Sequence, residues 1–380
     1  MSQRLKILFL TNRSPLPITD GQSRRTYNIL KGLAERHEVY LLSLQNPDEP
    51  LDEKSLLGLK SICAHVELHP GPSKKVGFSM AVRLLGSLFS LDPYTIWRHY
   101  SRSYLDRIHA LVDTFQFDLV HCDILPLAYT MRSVHGVPKV FTDHDVSYLK
   151  AFRMAQQSGN PFFKLFLSLE AIKVKRLESR IFKEVDIGIA VSEVDKKALM
   201  ALCPEGKIEV VENGVDTKEF KPVSQEVVEN SLVWVGGFDN YPNREGIYFF
   251  LEEVYPLIRE NVPGVRIDLV GGGVTPRLRE IASADPSIHI AGYVNDPLPY
   301  IQKAALFIVP ILSGSGTRLK LLEAMAAGKA IVTTRVGCEG IEGVNRKHYL
   351  IADESSDFAK YVAEILKDAN LRLHLGAHAR

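Results

Sequence analysis

The stretch SGSGTRLKLLEAMAAGKAIVTT, residues 313–334, follows the apolar run ALFIVPIL (305–312) and closes on a second one, AIVTT (330–334). Short apolar runs without alternation read as strands buried on both faces, as in a parallel sheet. Ser313–Gly316 has loop chemistry and Gly328 suits the left-handed residue that ends a helix, so the spacing predicts a helix from about Thr317 to Gly328. The unit is strand, loop, helix, strand. At 3.6 residues per turn, Gly316, Lys320, Glu323 and Ala327 fall on one stripe, while Leu319, Leu321, Leu322, Met325 and Ala326 cover the rest. The two charges share their face with small residues, at the end of the helix where backbone N–H groups are free. With Arg318 and Lys320 beside them those N–H groups suit an anion, and Glu323 suits the hydroxyls of a sugar. The competing reading is a plain Lys–Glu pair at i, i+3 on a half-exposed helix.

Strand-like runs recur at a steady beat outward from this unit: KILFLT (6–11), EVYLLSL (38–44), HVELH (65–69), DLVHC (118–122), KVFT (139–142) and DIGIAV (186–191). After a turn-rich stretch, 203–222, the beat restarts with LVWVG (232–236), RIDLV (266–270) and IHIA (288–291). Helical patterns lie between most of them. The expected fold class is α/β, in two alternating halves at 1–210 and 211–380, each a mostly parallel sheet covered on both faces. Ligands of such sheets bind beyond the carboxyl ends of the strands, which directs attention to the loops there.

Composition limits the function classes. Lys and Arg number 46 against 45 Asp and Glu, a net charge of +1, so no overall field favours nucleic acid. The four cysteines, Cys63, Cys122, Cys203 and Cys338, form no C-x-x-C pair, which disfavours zinc or a disulfide scaffold and fits a reducing cytoplasm. MSQRLKILFLTN enters a strand without the pattern of a secretory signal. GGGVTPRL (271–278) lacks the third glycine of a dinucleotide fingerprint, and neither a P-loop nor a G-x-S-x-G elbow occurs. DHD (143–145) resembles a metal-holding D-x-D, and reads equally well as a polar strand end with a hydrogen-bonded histidine.

Taken in order, PLPITDGQSRRTYNILKGLAERHEV (15–39), FTDHD (141–145), AVSE (190–193), VVENGVD (210–216), VGGFDNYPN (235–243), LVGGG (269–273), GYVND (292–296) and the opening stretch resemble a retaining glycosyltransferase of family four. Within that family the chain is most similar to transferases that build bacterial exopolysaccharide or surface polysaccharide. The resemblance implies the GT-B architecture, two facing Rossmann-like domains with an interdomain cleft. The donor is then held mainly by the second domain, and the last residues pack back toward the first, although the chain ends earlier than its relatives. It implies a nucleotide sugar as substrate, a glycan or lipid-linked acceptor, and no metal or other cofactor.

The resemblance also assigns residues. Glu323 matches the second of two family glutamates and would accept the ribose hydroxyls, whereas the first falls on Ser315. Gly237 and Asn243 stand where relatives often carry Arg and Lys, so Arg318 and Lys320, with the Gly316 and Thr317 amides, are expected to supply the diphosphate's cationic clamp. Gly236 belongs to the same loop, and backbone near Val294 is expected to meet the base. His144 matches a histidine that touches the donor sugar, with Asp145 expected to orient it, and Gly21 would let backbone approach the diphosphate or acceptor. Rival readings are a nucleotide-sugar epimerase or hydrolase, which needs no acceptor, and a non-catalytic binding protein. The segments 78–91 and 161–182 are apolar with interspersed cations; they read first as core-facing helices and second as peripheral membrane contacts.

Overall fold

Apolar runs become parallel strands almost wherever the sequence places them. The computed structural model describes residues 3–73, 78–223 and 227–380, which fall into two units, Met1–Glu212 and Asn213–Arg380. Unit 1 contains β1 (Lys6–Thr11), β2 (Glu38–Gln45), β3 (His65–Pro70), β4 (Leu119–Cys122), β5 (Lys139–Thr142), β6 (Ile187–Ala190) and β7 (Ile208–Val210). They form one sheet in the order β3-β2-β1-β4-β5-β6-β7, with every pair parallel. Phe9, Leu10, Val120 and Phe141 are fully buried within it. β7 lies inside the stretch read from sequence as turns; at three residues, IEV, it is too short for periodicity to register.

Unit 2 contains β8 (Val228–Val235), β9 (Arg266–Val270), β10 (Ile288–Gly292), β11 (Ala304–Val309), β12 (Ala330–Thr333) and β13 (Leu350–Ile351). Its order is β10-β9-β8-β11-β12-β13, again all parallel. All six residues of β11 are buried, as its unbroken apolar run requires. The order reverses between β8 and β11, and in unit 1 between β1 and β4. Loops leaving such a strand pair part in opposite directions and open a crevice.

The helix of the opening stretch runs Leu319–Ala326, starting two residues later than expected because Arg318 keeps an extended backbone as its N-cap. It ends as read, with Gly328 at φ +68°. The final helix, Ala369–Ala379, belongs to unit 2. Gly376 lies directly against the Gly328 carbonyl, and Arg380 donates to the carbonyls of Phe220, Thr217 and Ala326. The helix Pro161–Glu184 faces the core along one side. It buries Leu167, Val174, Leu177 and Ile181 but leaves Phe162, Leu165 and Leu169 exposed, so only one of its two apolar stripes faces the core. All four cysteines are buried.

Two glycines separate packing from propensity. Gly376→Ala places a methyl group against fixed backbone and should destabilise the chain by about 1–3 kcal/mol. Gly32→Ala, on an exposed helical turn where a Cβ meets nothing within 4 Å, should stabilise it by roughly 0.5–1 kcal/mol. Urea unfolding of both variants measures the two changes.

Candidate functional site

Three loops leave β8, β9 and β10 side by side. The Gly236 N–H donates to Val270 O at 2.9 Å, the Phe238 N–H to Gly272 O at 2.8 Å, and the Gly271 N–H to Gly292 O at 2.8 Å. Main chain here lies against main chain. A Cβ on Gly271 would fall inside the Gly236 carbonyl, and one on Gly273, at φ +78°, would meet the Asp239 nitrogen at 2.9 Å. Val294 follows β10, half-buried against the apolar cluster that includes Val309 and Leu321.

The loop after β11 faces this triplet. The Ser313 hydroxyl donates to Glu245 Oε2 at 2.5 Å, and Gly314 and Gly316 take φ of +118° and +74°. Ser315 is buried, and Asn213 Nδ2 donates to Thr317 Oγ1. Arg318 turns back so that its Nη1 donates to the Ser315 and Gly316 carbonyls, bracing the loop. Arg318, expected to share the cationic clamp, thus engages the loop through Nη1.

Lys320 reaches across instead. Its Nζ donates to Asn243 Oδ1 at 2.8 Å and lies 4.8 Å from the centre of the Trp234 ring, whose face attracts cations. Asn243 Nδ2 donates in turn to Gly237 O at 3.0 Å. A Cβ on Gly236 would come within 2.6 Å of Lys320 Nζ, so the ammonium occupies the space that glycine leaves. Gly236, Gly237, Asn243 and Lys320 thus form one cluster. Burial, then the charge of Arg318, push the Lys320 pKa down to about 7, with Glu323 pulling the other way. An incoming anion would reverse that shift. Glu323 is buried one turn further along the same helix, on the stripe read from sequence.

Unit 1 places His144 just beyond β5, with Nε2 3.3 Å from Asp123 Oδ2. Asp123 is buried beyond β4 and accepts from Thr26 Oγ1 at 2.5 Å. Burial alone would raise its pKa, but His144, His121 and Thr26 together leave it lowered, so it stays ionised. Asp145, expected to orient His144, accepts from Ser147 Oγ at 2.7 Å and pairs with Lys150 at 2.8 Å. Consecutive side chains leave the strand end in different directions: Asp143 inward, His144 toward β4, Asp145 toward the helix Ser147–Gln157. Asp143 is buried beside Glu178, whose carboxylate receives the Ser147 N–H at 2.6 Å. Burial and then mutual repulsion raise Asp143 well above the carboxylate range, and burial and then Asp145 bring Glu178 to about 8, so the pair holds a proton at neutral pH. Asp143 is thus buried, whereas Asp145 of the same DHD stretch is held by Ser147 and Lys150. Among the described residues no group of three or more His, Cys, Asp or Glu is placed to hold a metal ion.

Sequence reading missed Asp123 and Thr26. The available signal was an acid directly after an apolar strand, HCD (121–123), at the point where the strand order reverses. Gly21 is the exposed first residue of the helix Gly21–Ala34, which Asp20 caps by accepting the Ser23 N–H at 2.9 Å. Beside it a groove of about 310 Å³ is walled by Asn12, Arg13, Gln22, Asn46, Arg98 and His99.

Comparison with known proteins gives the family and the fold. Residues 19–219 match the family described as Glycosyltransferase Family 4, and residues 229–368 match Glycosyl transferases group 1. An uncharacterized 44.6 kDa protein in the cps region of Klebsiella pneumoniae is 24% identical over 381 residues, spanning 96% of this chain and 91% of its own. Sucrose-phosphate synthase from Thermosynechococcus elongatus shares the fold with a TM-score of 0.73 at 17% identity, over 99% of this chain and 93% of the other. Anabaena HepE in complex with UDP and glucose does so with a TM-score of 0.66 at 14% identity, over 99% and 94%.

The proton held by Asp143 and Glu178 has a measurable sign. Carboxyl pKa values raised on folding stabilise the chain below the unfolded value and lose that contribution as pH rises through the folded one, near 8 for Glu178. The melting temperature should therefore show a component that falls from about pH 5 and levels off above about 8, and Asp143→Asn, which removes one of the two carboxyls, should reduce it. Differential scanning fluorimetry of both proteins across that range checks the expectation.

Proposed function

The chain belongs to glycosyltransferase family 4 and is a glycosyltransferase of GT-B fold, and we propose that it transfers the sugar of a UDP- or GDP-sugar, with retention, to a glycan or lipid-linked glycan in cytoplasmic polysaccharide synthesis. The observation that carries the donor reading is the Lys320 ammonium, held over Trp234 and Asn243 beside loops of bare backbone. It supports a diphosphate seat in which Lys320 meets the growing charge of the leaving group. The Gly316 and Thr317 amides would share that task.

On this reading Glu323 accepts the ribose hydroxyls, and backbone near Val294 meets the base. Asp123 keeps the ring of His144 fixed for contact with the transferred sugar, the task first assigned to Asp145. Retention follows a path in which the sugar passes through an oxocarbenium-like state and the departing phosphate takes the acceptor's proton. A lysine in the seat supports transfer without a metal, so donor binding should survive a chelator. The uncharacterized relative in a cps region and the neighbour complexed with UDP and glucose support the polysaccharide setting and the nucleotide class.

Calorimetry tests the seat. Lys320→Ala should weaken UDP or GDP binding by about 1.5–3 kcal/mol, the worth of a charge-assisted contact, and barely change the nucleoside. Glu323→Gln should weaken nucleoside and nucleotide alike. Because Lys320 titrates near 7 in the free chain and a bound diphosphate raises that value, binding should take up a proton and weaken as pH climbs past about 7. Equal affinities for wild type and both variants would remove the seat.

A further inference from the structure

Asp143 and Glu178 are buried carboxyls with no task in holding the donor, and they meet at the turn that carries His144. The helix Ser147–Gln157 begins without a cap of its own, because Val146 at its N-cap has no side-chain acceptor for the first amides. Glu178 supplies one from another helix. Its carboxylate accepts the Ser147 N–H at 2.6 Å and the Tyr148 N–H at 3.3 Å.

The same side chain meets Asp143. The Asp143 N–H donates to Ile189 O at 3.0 Å, which fixes the backbone, yet its Oδ2 is buried with no donor among the described residues. Two carboxyls within hydrogen-bonding range and away from water cannot both carry charge without great cost, so they share a proton. The surroundings add to that demand. Asp195, on the helix Glu193–Leu202, and Asp145, in the turn, both face the pair with negative charge, although Ser192 binds the first at 2.5 Å and Lys150 the second at 2.8 Å. Tyr148 beside Glu178 and Cys122 at the end of β4 are both raised by burial and stay neutral. The nearby cations engage Tyr148: Lys175 lies over its ring at 5.8 Å, and Arg153 acts on its hydroxyl.

We propose that Asp143 and Glu178 are positioning residues for His144, and that the proton they share pins the turn 143–148 at both ends. His144 stands inside that turn, with Nε2 3.3 Å from Asp123 Oδ2. Once the proton leaves, the two facing carboxylates repel, the strand end parts from Glu178, and the ring is free to swing from Asp123. The latch holds at lower pH and opens as pH rises past about 8, where Glu178 titrates. The inference rests on His144 as the residue that meets the transferred sugar. The latch itself is a property of the free chain, so either reading can fail alone.

Ring NMR of the full chain, with nitrogen-15 in its 12 histidines, tests the latch; the His144 signal is identified by its loss in His144→Gln. In wild type that signal should show an inflection near pH 8, and Asp143→Asn, whose amide donates to Glu178 at every pH, should remove it. Glu178→Ala should displace the signal already at neutral pH. UDP affinity should stay as in wild type for both variants, since the seat lies in unit 2. A pair that served stability alone would shift the melting temperature and leave the ring signal in place. The proposal is overturned if the wild-type His144 signal passes pH 8 without an inflection, or if Asp143→Asn keeps that inflection. It is equally overturned if Glu178→Ala, shown to be folded by its UDP affinity, leaves the His144 signal unmoved.

Discussion

Unit 2 is organised around a place with no room for side chains. β8, β9 and β10 end in loops whose main chains touch at Gly236, Gly271 and Gly292, and a fourth close approach occurs at Gly246, where a Cβ would fall inside the Pro310 carbonyl. That last contact draws the helix Tyr241–Phe249 hard against the loop after β11. Asn243 and Glu245 on that helix can then reach Lys320 and Ser313. A substitution that widened any of these approaches would move the lysine even without touching it.

Both units set the charge of their groups through surroundings more than through identity. Asp123 and Asp143 follow neighbouring strands, yet His144, His121 and Thr26 keep the first ionised while burial, and then another carboxyl beside it, make the second hold a proton. Lys320 is the counterpart in unit 2, a cation kept near its titration point by burial. Each is costly in the free chain, as groups poised for ligands commonly are.

Much of the fold was legible because buried parallel strands leave unbroken apolar runs, and β1, β5 and β9 begin and end where those runs do. β7 escaped because three residues carry no period. Lys320 and Glu323 were legible on one stripe because helical spacing alone sets it, whereas Gly316 lies in the loop before the helix at φ +74°. The partner of His144 was not, because the direction of a side chain at a strand end depends on what packs beside it, and Asp123 lies 21 residues away from it along the chain. Arg318 and Lys320 looked equivalent in sequence; the extended backbone at Arg318 turns one inward to its loop and leaves the other to span the crevice. Which face of the helix Pro161–Glu184 is exposed was not legible for a related reason: apolar residues circle much of it, and only tertiary packing selects which are covered.

The burial of all four cysteines has a practical side. Cys63 and Cys122 are pushed up to about 12 by burial and Cys338 is raised by the same cause, which suppresses the reactive thiolate. The native chain should therefore be nearly silent to maleimide and iodoacetamide reagents. A cysteine introduced at an exposed position would carry a spin label or fluorophore without first removing the native four, leaving the cores they fill undisturbed.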